Sequence, residues 1–125
     1  MKTSELTGPA LDWAVAKCEG AYNPSVDTDI DGTKRVNYGG MYPEWSTDWA
    51  QGGPIIEREG LTLDLTDVLF DHETDECVQL DKPEWWASRD DVTGRGPSPL
   101  IAAMRCYVAS KLGDEIELPK ELTNE

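Results

Sequence analysis

The chain has 125 residues, enough for one domain that buries a core without disulfides or metals. Eleven basic against 25 acidic residues leave a formal net charge of −14, a field that repels free nucleic acid and anionic membrane surfaces and attracts basic proteins. Hydrophobic residues make up 38% and charged ones 29%, which excludes a disordered chain, and no apolar run nears the roughly 20 residues of a membrane helix.

Ser4 to Glu19 reads as a first helix, with Leu6, Leu11, Trp13, Ala14, Val15 and Cys18 as its apolar stripe, Pro9 in its first turn and Gly20 as its stop. Its start carries no basic-then-apolar export signal, so a cytoplasmic protein is expected. Tyr22 to Tyr42 is irregular, but Asp31-Gly32 between Val26–Ile30 and Thr33–Tyr38 predicts a hairpin. Ser46, Thr47 or Asp48 caps a short turn that Gly52-Gly53 interrupts. Pro54 then opens a short helix ended by Gly60. Leu61, Leu63 and Leu65 alternate with polar residues as in a half-buried strand. Val68–Phe70 and Cys77–Leu80 are expected to pair across an acidic turn, and Glu84–Ser88 forms a further strand. The last helix is the best defined: Ser98 caps it, Pro99 takes its first position, Leu100, Ile101, Met104, Tyr107, Val108 and Leu112 form its stripe, and Gly113 ends it. Residues 114–125 read as a partly ordered acidic tail of the single domain 1–125. This order predicts an α+β fold, with a small, mostly antiparallel sheet packed against two longer helices plus a short helix.

Three blocks in these elements resemble one known family: Leu11-Asp12-Trp13-Ala14-Val15-Ala16, the run Ser46 to Gly60, and the run Gly96 to Gly113. They cover about half the chain and are similar to the NinX-like accessory proteins of bacteriophages. The resemblance implies a phage or prophage origin and action in the bacterial host cytoplasm. It implies no catalytic residues.

Five groups of residues invite a chemical reading. Asp27, Asp29, Asp31 and Gly32 match the first half of a calcium loop, but Tyr38 stands where the bidentate acid belongs, so a hairpin turn and no metal is expected. His72, the only histidine, lies between Asp71 and Glu73 in a turn where neighbouring side chains diverge, a poor setting for a base or ligand. The three cysteines, Cys18, Cys77 and Cys106, are scattered and odd in number, which predicts reduced thiols and no zinc site. No cofactor and no enzyme is expected from this set. Gly94-Arg95-Gly96-Pro97-Ser98, by contrast, reads as a glycine-flanked loop that leads into a helix start. Glycine backbone, an arginine and a capping hydroxyl there form a candidate anion cradle, or simply a capped helix. Trp45, Trp49, Trp85 and Trp86 flank glycine or proline. In a strand, Trp85 and Trp86 point to opposite faces, so one of them meets solvent, a partner or a ligand.

Two functions are consistent with these features. The first is a non-catalytic protein that binds and sequesters a small anionic, nucleotide-like ligand in counter-defence, using Trp49, Gly52, Gly53, Arg95 and Ser98. The second is an acidic inhibitor of a basic host protein. Between Asp64 and Glu84 there are eight acids and one base, Lys82, and Asp71, Glu73, Asp75 and Glu76 would mimic nucleic-acid phosphates. Direct nucleic-acid or membrane binding is excluded in both readings, and a homo-oligomer is compatible with either.

Overall fold

The computed structural model describes residues 1–22, 24–71 and 73–122, and within the strands it leaves out the side chains of 67–71, 78, 80 and 81. The described residues form an α+β fold of three α-helices and two small antiparallel sheets. A 3-10 turn, Thr3–Glu5, precedes α1 (Gly8–Cys18). Strands β1 (Ser25–Thr28) and β2 (Lys34–Asn37) form the hairpin that Asp31-Gly32 predicts, with Gly32 at φ 88°. Then come α2 (Trp49–Glu59), β3 (Thr62–Asp71), β4 (Glu76–Arg89), β5 (Val92–Gly96) and α3 (Pro99–Leu112). The second sheet has the order β3-β4-β5.

The core is built around α3. Leu100, Ala102, Ala103, Met104, Cys106, Tyr107 and Val108 are all buried, as are six consecutive residues of α1 from Leu11 to Ala16. A helix buried on nearly every side cannot show a clean amphipathic stripe, and its small residues let neighbours close in. Both α1 and α2 pack on α3, so the three family-like blocks meet in space. The buried indole of Trp13 donates from Nε1 to the Pro24 carbonyl at 2.8 Å. Where the C-terminal ends of α1 and α2 meet α3, Arg58 grips both oxygens of Glu19 at 3.1 and 2.7 Å. Tyr107 Oη donates to the same carboxylate at 2.5 Å, which holds Glu19 below the usual carboxylate range despite its partial burial.

Several local expectations change. Gly52-Gly53 does not interrupt a helix: α2 starts at Trp49, capped by Asp48, whose side chain accepts from Ala50 N–H at 2.9 Å. Gly52 is there for contact, since a Cβ on it would sit 2.4 Å from the Trp45 carbonyl oxygen and 2.6 Å from Leu100 Cδ2. The two strand fragments expected on each side of the acidic turn are one strand each. Leu69 pairs with Val78 and Phe70 with Cys77, and the register shifts between Thr66 and Val68. The extra residues fall on β4 around Pro83, which has no N–H to give to a ladder. Gly94-Arg95-Gly96 is not a loop but lies in β5, a strand whose glycines hide it from a reading by propensity. Residues 114–116 are tied to the chain start: Thr3 N–H donates to the Asp114 carbonyl at 2.8 Å and Ile116 N–H to the Met1 carbonyl at 3.0 Å. No helix among the described residues is long and apolar enough to cross a membrane.

Candidate functional site

Three-stranded pairing fixes which way each residue of β5 faces. Gly94 and Gly96 are buried against α3, so Arg95 between them faces away from that helix. There it lies opposite Trp86 of β4, its guanidinium 5.0 Å from the indole ring centre and 3.8 Å from Glu84 Oε2. Trp85, the neighbour of Trp86, packs on the core, so the two tryptophans do part to opposite faces. Trp86 Nε1 and Glu84 Oε2 are both shut off from solvent and, among the described residues, have no hydrogen-bond partner.

Around Arg95 opens a cavity of about 650 Å³, walled by residues 2–4, 82–84 and 93–97, by Arg105 and Ala109 of α3, and by residues 114–115. Its basic groups are Lys2, Lys82, Arg95 and Arg105, and its acids are Glu84, Asp114 and Glu115. This slight cationic excess stands out in a chain with 25 acids against 11 bases. Arg105 is the most firmly placed. Its Nε donates to the Leu6 carbonyl at 2.9 Å and its Nη1 to the Arg95 carbonyl at 2.7 Å. Burial lowers its pKa from the ordinary guanidinium value, yet an arginine stays charged at neutral pH. Among the described residues neither Arg105, Lys2 nor Lys82 makes an ion pair. The rim is held by the bonds between residues 1–3 and 113–116, including Thr3 Oγ1 to the Gly113 carbonyl at 2.7 Å. A half-buried arginine held by carbonyls, and so left with its whole charge, is a suitable anchor for an anion.

The other residues expected at an anion site lie elsewhere. Ser98 caps α3, its Oγ accepting from Ile101 N–H at 3.2 Å. Gly52 touches Leu100 in the first turn of that helix, and Gly53 is 3.8 Å, measured from an added Cβ, from the ring of half-exposed Trp49. Of the three on α2, only Gly52 is seen against α3, Gly53 and Trp49 lie beside each other, and none of the four lines the cavity that Arg95 lines. Ser98→Ala should therefore cost about 1 kcal/mol of stability in chemical denaturation, as loss of a helix cap does, while leaving the cavity intact.

The calcium-like aspartates have separate partners. Asp27 accepts from Asn37 at 3.1 Å and from Tyr42 at 2.7 Å, Asp29 pairs with Arg35 at 3.2 Å, and Asp31 accepts from Thr33 N–H at 3.1 Å. His72 lies outside the described residues, as does the side chain of Asp71, while Glu73, Asp75 and Glu76 are exposed at the end of the β3–β4 ribbon. The cysteines are free: Cys18 on α1, where burial pushes its thiol up to about 12, Cys77 on β4 and Cys106 buried in α3. Reading the sequence missed Lys2, Lys82 and Arg105. Lys82 carried a signal, as the one base in an acidic run, and Arg105 carried another, as a charge inside the buried stretch of α3.

Comparison with curated proteins finds no match. The family model described as bacteriophage P22 NinX matches residues 2–111, which takes in every residue of the cavity except Asp114 and Glu115, and the chain belongs to that family.

Proposed function

We propose that this phage accessory protein binds a small anionic, nucleotide-like ligand in the cavity lined by Arg95 and Arg105, without chemistry, and sequesters it in the host cytoplasm as a counter-defence. The observation that carries the reading is the convergence of four bases on one cavity of about 650 Å³ in so acidic a chain, with Arg105 held by carbonyls alone. The volume suits a small-molecule site. Pro97, beside the positive end of α3, lines the cavity as well, and the helix dipole adds to the attraction for an anion. The long-range field of the protein opposes anions, so affinity must come from short, direct contacts, and because salt screens the repulsive field as well as the half-exposed contacts, the net change with salt should be small.

A thermal-shift panel of phosphate, pyrophosphate, AMP, ADP and a cyclic mononucleotide tests this. At least one phosphorylated compound should raise the melting temperature by several degrees, since a ligand at 100 times its Kd adds about 2.7 kcal/mol. Arg95→Ala should weaken that compound about tenfold, the loss of one charge-assisted contact at a half-exposed site, while leaving the unliganded melting temperature nearly unchanged. A flat panel would remove the reading.

One observation favours a second reading, in which the acidic face blocks a basic host protein. The β3–β4 ribbon continues past the last β5 pair, Trp85 with Gly96, out to Asp71 opposite Glu76, and so presents Glu73, Asp75 and Glu76 at its exposed end. Changing those three to amides should leave the fold intact and abolish capture of a basic partner, an effect that a pulldown at low and high salt would reveal.

A further inference from the structure

A second cavity, of about 220 Å³, shares no residue with the first and lies between the start of α1, β2 and the 42–47 segment. Two polar residues that line it are more than nine-tenths buried: Asp12, 6% exposed, and Ser46, 1% exposed. Asp12 Oδ1 accepts from Ser46 N–H at 2.9 Å, which pins the 42–47 segment to α1. Among the described residues the carboxylate has no other hydrogen bond and no basic group within ion-pair distance. Of the two cations on the same cavity, Arg35 is neutralised by Asp29 at 3.2 Å, while Lys34 donates to the Glu121 carbonyl and keeps its charge, so the Asp12 and Glu44 carboxylates stand against one unpaired cation. Ser46 Oγ, although shut off from solvent, completes no hydrogen bond among the described residues, yet stands close enough to Asp12 to favour its charged form. Glu44 lines the cavity too and adds a second negative charge.

A desolvated carboxylate without a counter-ion is costly, and so is a buried hydroxyl without a partner. Here the two stand side by side on one cavity, beside a further acid. We propose that this cavity binds the primary ammonium group of a small amine, with Asp12 as its counter-ion and Ser46 Oγ as a second acceptor. An ammonium is compact and carries three donors, one for the free Asp12 oxygen, one for Ser46 and one toward Glu44. A water molecule would satisfy the hydroxyl and leave the charge unpaired. A hard cation would want six or more oxygens, more than these residues supply. Burial pushes the Asp12 carboxyl up to about 6, against the pull of the Ser46 N–H and hydroxyl toward the ionised form, so most of it carries charge at neutral pH and can pair with an amine. This site stands apart from the anion cavity, and neither depends on the other.

The test is a titration of isotopically labelled protein with ethylammonium chloride, against sodium chloride and tetramethylammonium chloride at matched ionic strength. Ethylammonium alone should shift the Ser46 amide resonance to a plateau. At roughly ten times its Kd it should also lower the Asp12 titration midpoint by about one pH unit, as linkage requires. Asp12→Asn keeps an acceptor for the Ser46 N–H and should lose the plateau with its amide spectrum otherwise preserved. If Asp12→Asn does not fold, Ser46→Ala serves in its place, weakening the amine several-fold with the carboxylate intact. Equal shifts from sodium or tetramethylammonium, a plateau that survives Asp12→Asn, or no plateau and an unmoved Asp12 midpoint in the wild-type protein would each overturn the proposal, the last leaving a structural pair with bound water.

Discussion

Gly94→Ala should lower stability by about 3 kcal/mol and the melting temperature by roughly 10–15 °C, an unusually large effect for adding one methyl group. A Cβ at that position would lie 2.5 Å from the Ala102 carbonyl oxygen, 2.5 Å from Cys106 N and 2.9 Å from Cys106 Cα. All three are backbone atoms of α3, so no side-chain rotation relieves the contact, and either the helix or β5 must move. Gly96 is a useful control. Its added Cβ would meet Ile101 Cγ2 at 2.8 Å, the end of a partly buried side chain, with backbone no nearer than Ala102 N at 3.0 Å. Gly96→Ala should therefore cost clearly less. Urea denaturation of both variants measures the difference, and a loss under about 1 kcal/mol for Gly94→Ala would show that the strand–helix seam is loose. The seam bears on function because β5 carries Arg95 on one face and meets α3, which carries Arg105, on the other. Moving it would separate the two arginines.

Asp12→Asn should act in the opposite direction and stabilise the protein above pH 6. Burial is the main reason the Asp12 carboxyl is raised to about 6 from an ordinary value of 3.8. A raised carboxyl gives its full contribution to stability below the unfolded value, near pH 4, and loses it as pH climbs through 6. The loss by pH 7.5 is about 3 kcal/mol if the whole shift is realised. Asparagine is never charged and still offers Oδ1 to the Ser46 N–H, so the variant should gain about 1–2 kcal/mol over wild type at pH 7.5 and none at pH 4. Denaturation midpoints across that range check it. A variant less stable than wild type at every pH would mean that the carboxylate is firmly held by other groups. A charge kept in a buried place against stability is the kind of cost that functional sites carry, which is why Asp12 is read as part of a site rather than of the core.

Much of the fold could be read from local chemistry. The Asp31-Gly32 hairpin, the Ser98-Pro99 start and Gly113 end of α3, and the Gly60 stop of α2 all depend on what neighbouring residues need. The glycines that misled are those whose reason lies far along the chain. Gly52 answers to Trp45 and Leu100, and Gly94 to Ala102 and Cys106, and nothing local separates a glycine needed for its missing Cβ from one needed for its backbone freedom. Reading Gly52-Gly53 as a break and Gly94–Gly96 as a loop has this one cause. The site divides in the same way. Arg95 could be picked out from its setting, but its companions Lys2, Lys82 and Arg105 come from three other segments that only tertiary packing brings together. Asp12 sits inside an apolar helix block, and its chemistry comes from Ser46, which is 34 residues away.

Anion binding beside Arg95 and Arg105 is tested most directly by a map of amide chemical shifts on adding pyrophosphate and ADP, at low and at moderate salt. Saturable shifts are expected on residues 2–4, 82–84 and 93–97 and on the Arg105 turn of α3, little changed by salt, with residues 73–76 silent. Shifts confined to the α2–α3 seam or to the acidic ribbon, or no saturable shift at either salt, would contradict it.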